Sequence, residues 1–222
     1  MKKILMLFML LSTFAISTTF NPIEGSKLKV GVFHKSTTGT INKNSGTGGT
    51  DCDVFIEGYL EHPISFIPLV KIEYTEFIDK GIGKIADNLN LTIYDLTFYY
   101  EVLDNGINAD VGINLKHVEG KILISSVEKY KSKKLKLSVP MIYAKVGFDV
   151  PRTNLSLQVE GNYITQNGEN IYDAQAGLRY TFDSGFGIET GYKVMNLKFN
   201  EVDDLNVENK FSGLYGKLVK AF

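Results

Sequence analysis

Charged residues recur at even spacings along much of this chain, and that spacing sets the chemistry open to it. Acids at 57, 61, 73, 95, 101, 110, 149, 160, 173 and 189, with bases at 29, 35, 71, 116, 145, 179, 193 and 217, fall on one face of alternating segments. Inside a narrow enclosure such charges pair and hydrogen-bond, whereas along a wide aqueous pore they stay solvated. The candidate lumen network is Glu57, Glu73, Asp95, Glu101, Lys116, Lys145, Glu160, Arg179, Glu189 and Lys193. Because the signs nearly match, a packed polar core is the first expectation and a narrow channel for ions or small solutes the second.

Groups able to act as base, nucleophile or metal ligand are sparse. The three histidines are His34, His62 and His117. His62 falls in a turn, and the other two lie near the far ends of alternating segments, with no fixed partner legible for any. No catalytic constellation can be named, so the chain reads as a non-enzyme. A lipid- or peptide-hydrolysing enzyme is kept as an alternative, since an acid, His or Ser at a barrel rim serves acid-base or nucleophilic chemistry. Cys52 is the single cysteine, which excludes an intramolecular disulfide and a cysteine metal site. Asp203, Asp204 and Glu208 lack the spacing of a known calcium loop, and Ser45 to Gly49 lacks the lysine of a phosphate loop. No cofactor or metal is expected. A formal net charge of -1 removes the electrostatic argument for nucleic acid.

The elements that carry these residues have period two. From Val139 to Val150, Ile142, Ala144, Val146 and Phe148 share one face and Tyr143, Lys145, Gly147 and Asp149 the other, the signature of a strand. Similar segments cover about 27–35, 52–61, 70–75, a stretch ending at 104, 107–116, 155–162, 173–182, 186–193 and 211–222. Short turns at Pro151 to Asn154, Asp183 to Gly185 and the hairpin signal Asp104-Asn105-Gly106 alternate with long polar loops at 36–51, 79–88, 118–136, 165–170 and 200–210, of which Lys121 to Val127 can prolong the strand before it. The turn from Glu61 to Pro68 carries two prolines. That asymmetry predicts an all-β, transmembrane, antiparallel up-and-down barrel of about ten strands, or eight if one weak pair merges. A strand of about 11 residues, tilted by about 40°, climbs roughly 27 Å, the height of the apolar band such barrels need. A soluble lipocalin-like binding barrel is the rival, with its apolar face inward. Terminal Phe222, the loop asymmetry and aromatics near strand ends favour the membrane. On this parity Ala144 faces lipid and Gln158 the lumen, so an arginine should be harmful at 144 and better tolerated at 158.

Lys2 and Lys3 followed by an apolar run to about Ala15 and small residues at Ala15 and Ser17 form a secretory signal, expected over 1–17. Residues 18–222 then form one barrel domain. The final strand, with Leu214, Leu218 and Phe222, is expected to close the barrel and to address it to the barrel-assembly machinery, after escort by periplasmic chaperones. Lys129, Lys131, Lys133, Lys134 and Lys136 fall near the outer rim, where outer-membrane lipids and lipopolysaccharide carry phosphate. A surface adhesin using the long loops is a further alternative.

Several stretches carry a family resemblance: EHPISFIPLVKIEYTEF (61–77), LTFYYEVLDNGINADVGINLK (96–116), PMIYAKVGFDVP (140–151), EGNYITQNGENIYDAQAGLRY (160–180) and VDDLNVENKFSGLYG (202–216). Together they resemble an outer-membrane β-barrel family of Gram-negative bacteria found alongside GlyGly C-terminal sorting systems. The resemblance implies outer-membrane location and a barrel fold, and no residue roles. Two features depart from the pattern: the chain has no Trp for an interfacial belt, and Lys220 stands where an aromatic or apolar residue is usual.

Overall fold

The computed structural model describes residues 25–41, 44–79, 88–126, 129–166, 169–202 and 205–222. The alternating segments form ten strands: β1 (Lys27–Ile41), β2 (Asn44–Leu60), β3 (Leu69–Asp79), β4 (Asn88–Asp104), β5 (Ile107–Ser126), β6 (Lys129–Asp149), β7 (Leu155–Gln166), β8 (Glu169–Thr181), β9 (Phe186–Val202) and β10 (Leu205–Ala221). Each pairs antiparallel with its neighbour in sequence, and β10 returns to β1 to close an up-and-down barrel. Closure runs the length of both strands, from Lys27 opposite Ala221 to Ile41 opposite Val207. Beyond the last pair, the Phe222 N–H donates to Ser26 O at 3.0 Å and the Gly25 N–H to Phe222 O at 3.1 Å. The barrel therefore has no open edge. The segment expected as a signal lies outside the described residues.

The strands are longer than the sequence pattern implies. Residues 36–51 read as a loop from their Gly, Thr and Ser content, yet most of them extend the β1–β2 hairpin, which pairs Thr38 with Thr47 and Ile41 with Asn44. β5 does run on through Lys121 to Ser126, as the sequence allowed, and β6 answers it over the rest of the expected loop, from Leu137 opposite Val118 to Lys129 opposite Ser126. Residues 165–170 pair Thr165 with Asn170, and much of 200–210 belongs to β9 and β10. In each case a partner strand supplies the ladder that local propensity does not favour. Of the loop read at 79–88, residues 80–87 lie outside the described set. The opposite end keeps its short turns, with Gly106 and Gly185 at φ 89° and 74° where a side chain would strain the backbone.

The wall has two different halves. Next to the short turns, the outward face carries a broad apolar belt, with Ile113, Ile142 and Leu218 at 58%, 70% and 66% exposure. The interior at that height is charged. Toward the loop end the faces exchange. On β6 the outward residues Ser132, Lys134, Lys136 and Ser138 are polar and exposed, while Leu135, Val139 and Met141 are buried inside. On β4 the same exchange falls between Ile93, buried, and Tyr94, exposed. There is no bulge at these points: the β4–β5 register is unbroken from Asn88 to Glu101, and the whole of β5–β6 is in register.

Candidate functional site

The interior of the belt half holds ion pairs that span the lumen. Lys71 on β3 meets Glu160 on β7 at 2.6 Å, and Lys193 on β9 meets Glu73 on β3 at 2.6 Å. Lys217 lies 2.7 Å from Glu57 and 3.2 Å from Glu189, and Lys29 lies 3.2 Å from Glu189. Lys116 is held between Asp95 at 2.7 Å and Asp173 at 2.9 Å, and Lys145 pairs with Asp110 at 2.6 Å. Arg179 reaches Glu189 at 3.2 Å and donates to Gln158 at 2.5 Å. Tyrosines fill the gaps: Tyr215 donates to Glu189 at 3.2 Å, Tyr143 to Glu160 at 3.4 Å, and the Tyr59 hydroxyl lies within 3.3 Å of both Glu57 and Glu160. Gln175 donates to Glu160 as well. Each charge of this set thus meets an opposite charge, and Glu57, Glu160 and Glu189 also accept from tyrosines, the condition under which burial of ions is tolerated.

Of the lumen residues expected from sequence, this arrangement joins Glu57, Glu73, Asp95, Lys116, Lys145, Glu160, Arg179, Glu189 and Lys193. Glu101 stands apart. It is exposed at the turn end, next to the bulge between Glu101 and Leu103, and makes no ion pair among the described residues. Lys29, Lys71 and Lys217 complete the network; parity had placed them on this face, but only the closed barrel shows which acids they meet. The surroundings of Gln158 weigh against the tolerance expected for Gln158→Arg. Gln158 is 5% exposed and already accepts from Arg179, so a second guanidinium there would face the first.

The other half of the interior is an apolar plug, which strand alternation alone did not reveal. Phe33, Phe55, Phe77, Leu89, Leu91, Ile93, Val118, Ile122, Leu135 and Phe211 are among its buried members. Phe77 on β3 and Phe211 on β10 meet across the lumen with ring centroids 4.7 Å apart, and Phe33 lies 6.0 Å from Phe77. Polar groups interrupt it: Lys35 meets Asp53 at 2.6 Å beside the Phe77 ring, and Thr37, Asp79 and Asn209 are buried at the same end. Small residues let the plug and the network pack. A Cβ at Gly177 would fall 2.0 Å from the Tyr215 hydroxyl, which lies over the Gly177–Gly191 pair.

The histidines gain partners that the sequence did not show. His62 lies within 3.3 Å of Pro68 O in the turn, and His34 pairs across to Cys52 Sγ at 3.3 Å on the outer wall. His117 stands between two polar groups, with Nδ1 2.6 Å from Ser138 Oγ and Nε2 3.0 Å from Glu119 Oε1. The His117 hydrogen bond, with Lys136 nearby, holds the Glu119 carboxyl below the usual carboxylate range. Asp203 and Asp204 lie outside the described residues, and Glu208 lies 3.8 Å from Lys210. In the closing strand, Leu214 and Leu218 face outward on the belt, and Phe222 is half-buried beyond the strand's end. Lys220 donates to Ser184 O at 3.1 Å and lies 4.4 Å over the Phe186 ring, so its stem stays on the apolar face while its ammonium reaches the turn.

No family model and no curated protein matches the chain. Among solved structures it is similar to neisserial surface protein A, at 11% identity and TM-score 0.45, covering 90% of this chain and 98% of that one. The translocator domain of the autotransporter NalP from Neisseria meningitidis gives 11% identity and TM-score 0.45, covering 96% and 94%. The attachment invasion locus protein Ail of Yersinia pestis gives 13% and 0.37, covering 87% and 99%. The fold of this chain rests on the pairing of its own strands.

Proposed function

We propose that this chain is an integral outer-membrane barrel of a Gram-negative cell, closed to solutes, with a working surface on its outer wall and loop-end rim. The apolar belt supports the membrane placement, because an exposed apolar surface that runs round a closed barrel suits contact with lipid. The loop end then faces the exterior and the short turns the periplasm. One observation carries the closed reading: Lys71–Glu160 and Lys193–Glu73 bridge opposite walls at 2.6 Å, beneath a layer of packed phenylalanines. A water-filled pore would keep these groups apart.

On this reading Lys121, Lys134 and Lys136, exposed on the wall just above the belt, meet the phosphates of outer-leaflet lipids and lipopolysaccharide. The side chains of Lys129, Lys131 and Lys133, which belong to the same expected cluster, lie outside the described set. The closing strand would be what the barrel-assembly machinery engages, after chaperones have carried the chain across the periplasm. The link to GlyGly sorting systems rests on the sequence resemblance alone.

Conductance tests the closed reading. Folded protein reconstituted in a planar bilayer should give no single-channel steps at moderate voltage, and Glu73→Ala with Glu160→Ala should introduce them by removing the bridges. Steady steps from the unaltered protein would overturn it.

A further inference from the structure

The outer wall carries a three-residue hydrogen-bonded chain of a kind known for acyl transfer. Ser138 on β6 and His117 on β5 are direct cross-strand partners, and Glu119 shares the outward face two residues from His117. The bonds run Ser138 Oγ to His117 Nδ1 at 2.6 Å and His117 Nε2 to Glu119 Oε1 at 3.0 Å. An ionised carboxylate can only accept, so Nε2 carries the ring proton and Nδ1 is the nitrogen left to accept from the serine. His117 thereby has the tautomer a general base requires, fixed by an acid on its far side.

Their height on the wall matters as much as their geometry. Immediately toward the turns lie Leu115, 47% exposed, and Pro140, also exposed, where the unbroken apolar runs on the outward faces of β5 and β6 end. Ten residues separate His117 from Ile107 at the other end of β5. At about 3.3 Å per residue and about 40° of tilt, that is roughly 25 Å, the full height of an apolar band. The triad therefore stands where hydrocarbon gives way to headgroups, the level at which a membrane lipid presents its acyl esters. Directly above is a groove of about 600 Å³ lined by Asn90, Thr92, Glu119, Lys121, Lys134 and Lys136. Its lysines suit a phosphorylated headgroup. Lys136, two residues before Ser138 on the same face, lies 3.7 Å from Glu119 and adds positive charge to this part of the wall.

We propose that Ser138, His117 and Glu119 form the site of an acyl-ester hydrolase acting on phosphorylated membrane lipids from the side of the barrel. Ser138 Oγ attacks the ester carbonyl carbon as His117 Nδ1 takes its proton. The carbon–oxygen bond to the lipid breaks, and the leaving alcohol receives that proton from His117. The result is an acyl ester on Ser138. Water then attacks this ester, His117 takes the water proton and returns it to Ser138, and a fatty acid leaves. Atoms balance, and no electron is transferred. Ser138 and His117 are the catalytic residues, and Glu119 is a positioning residue that holds the ring.

This inference rests on the membrane placement, so one preparation should test both. Full-length protein is folded into vesicles and first checked for heat-modifiable migration and protease protection; failure at that step counts against the placement. The inserted protein is then given 1-palmitoyl-2-oleoyl phosphatidylethanolamine in one arm and purified lipid A in another, with released fatty acid read by mass spectrometry. A fluorophosphonate probe is applied in parallel. Release is expected in at least one arm, and the arm identifies the lipid. The probe should label Ser138, and Ser138→Ala should lower the rate at least about 100-fold with insertion unchanged. Glu119→Gln should lower kcat at near-constant KM, with Glu119→Asp restoring part of it. Inserted protein that releases no fatty acid in either arm and leaves Ser138 unlabelled would overturn the assignment, as would equal turnover by Ser138→Ala.

Discussion

The two halves of this barrel use the same strands and the same inward parity, yet bury opposite chemistries. Beside the short turns, the wall is apolar outside and charged inside, with Glu57, Lys217 and Glu189 fully enclosed. Beside the loops, the wall is polar outside and apolar inside, with Phe77, Leu89 and Leu197 enclosed. The strands do not turn over between the halves. The sequence shifts phase instead, as at Ile93-Tyr94 on β4 and Met141-Ile142 on β6, where two apolar neighbours occupy both faces in succession. A strand in one solvent would keep its apolar residues on one face. On the proposed membrane placement, the shift marks the height at which the surroundings change from lipid to water.

If that comparison is right, each half should fail in its own way. The largest effects belong to the two interiors. Glu57→Gln leaves Lys217 and Lys29 short of a countercharge in an enclosed site, which should cost about 3–5 kcal/mol. Phe77→Ala opens a cavity between Phe33 and Phe211 and should cost a similar about 3–5 kcal/mol. Urea titration of vesicle-inserted protein measures both. A negligible loss for Phe77→Ala would mean that the loop-end half is not packed.

The outer wall gives the next test, along a single strand. Ala144 and Ser132 lie on the same outward face of β6, on opposite sides of the phase shift. Ala144→Arg should destabilise by about 2–4 kcal/mol because it meets hydrocarbon. Ser132→Arg should stay within about 0.5 kcal/mol, as is usual for an exposed site in water. Equal sensitivity in the same titration would remove the boundary.

The smallest effect expected is at the closing strand. Lys220→Phe should leave the yield of heat-modifiable protein unchanged or slightly higher, since it removes a cation from the edge of the belt. Deleting Phe222 should lower that yield, because its backbone extends the closing ladder to Ser26 and Gly25. A fall for Lys220→Phe would give the Ser184 contact more weight than its exposed position implies.

Much of this organisation is legible in the sequence, and the limits are physical. Strand number and face assignment follow from period two, because alternation reports which residues share a side. Strand length did not follow, because Gly- and Thr-rich segments such as 44–50 form strands only when a partner is present. Parity placed Lys29, Lys71 and Lys217 inside but could not choose their acids, since partners such as Glu189 and Glu160 come from distant strands. The apolar plug is hard to read from sequence because its residues lie in segments whose composition is that of polar loops, although Leu135, Leu137, Val139 and Met141 do alternate. The partners of His117 were out of reach for a similar reason. Ser138 is 21 residues away, and only the β5–β6 register brings the two together.

The phase shift as a lipid–water boundary can be measured directly because the chain contains no Trp. Single tryptophans placed along β6 at Phe148, Ile142, Pro140, Lys136 and Ser132 report their surroundings through quenching by brominated lipid and by aqueous iodide. The account predicts strong lipid quenching at 148, 142 and 140, and iodide quenching alone at 136 and 132. Lipid quenching that persists to 132, or iodide quenching at 142, would contradict it.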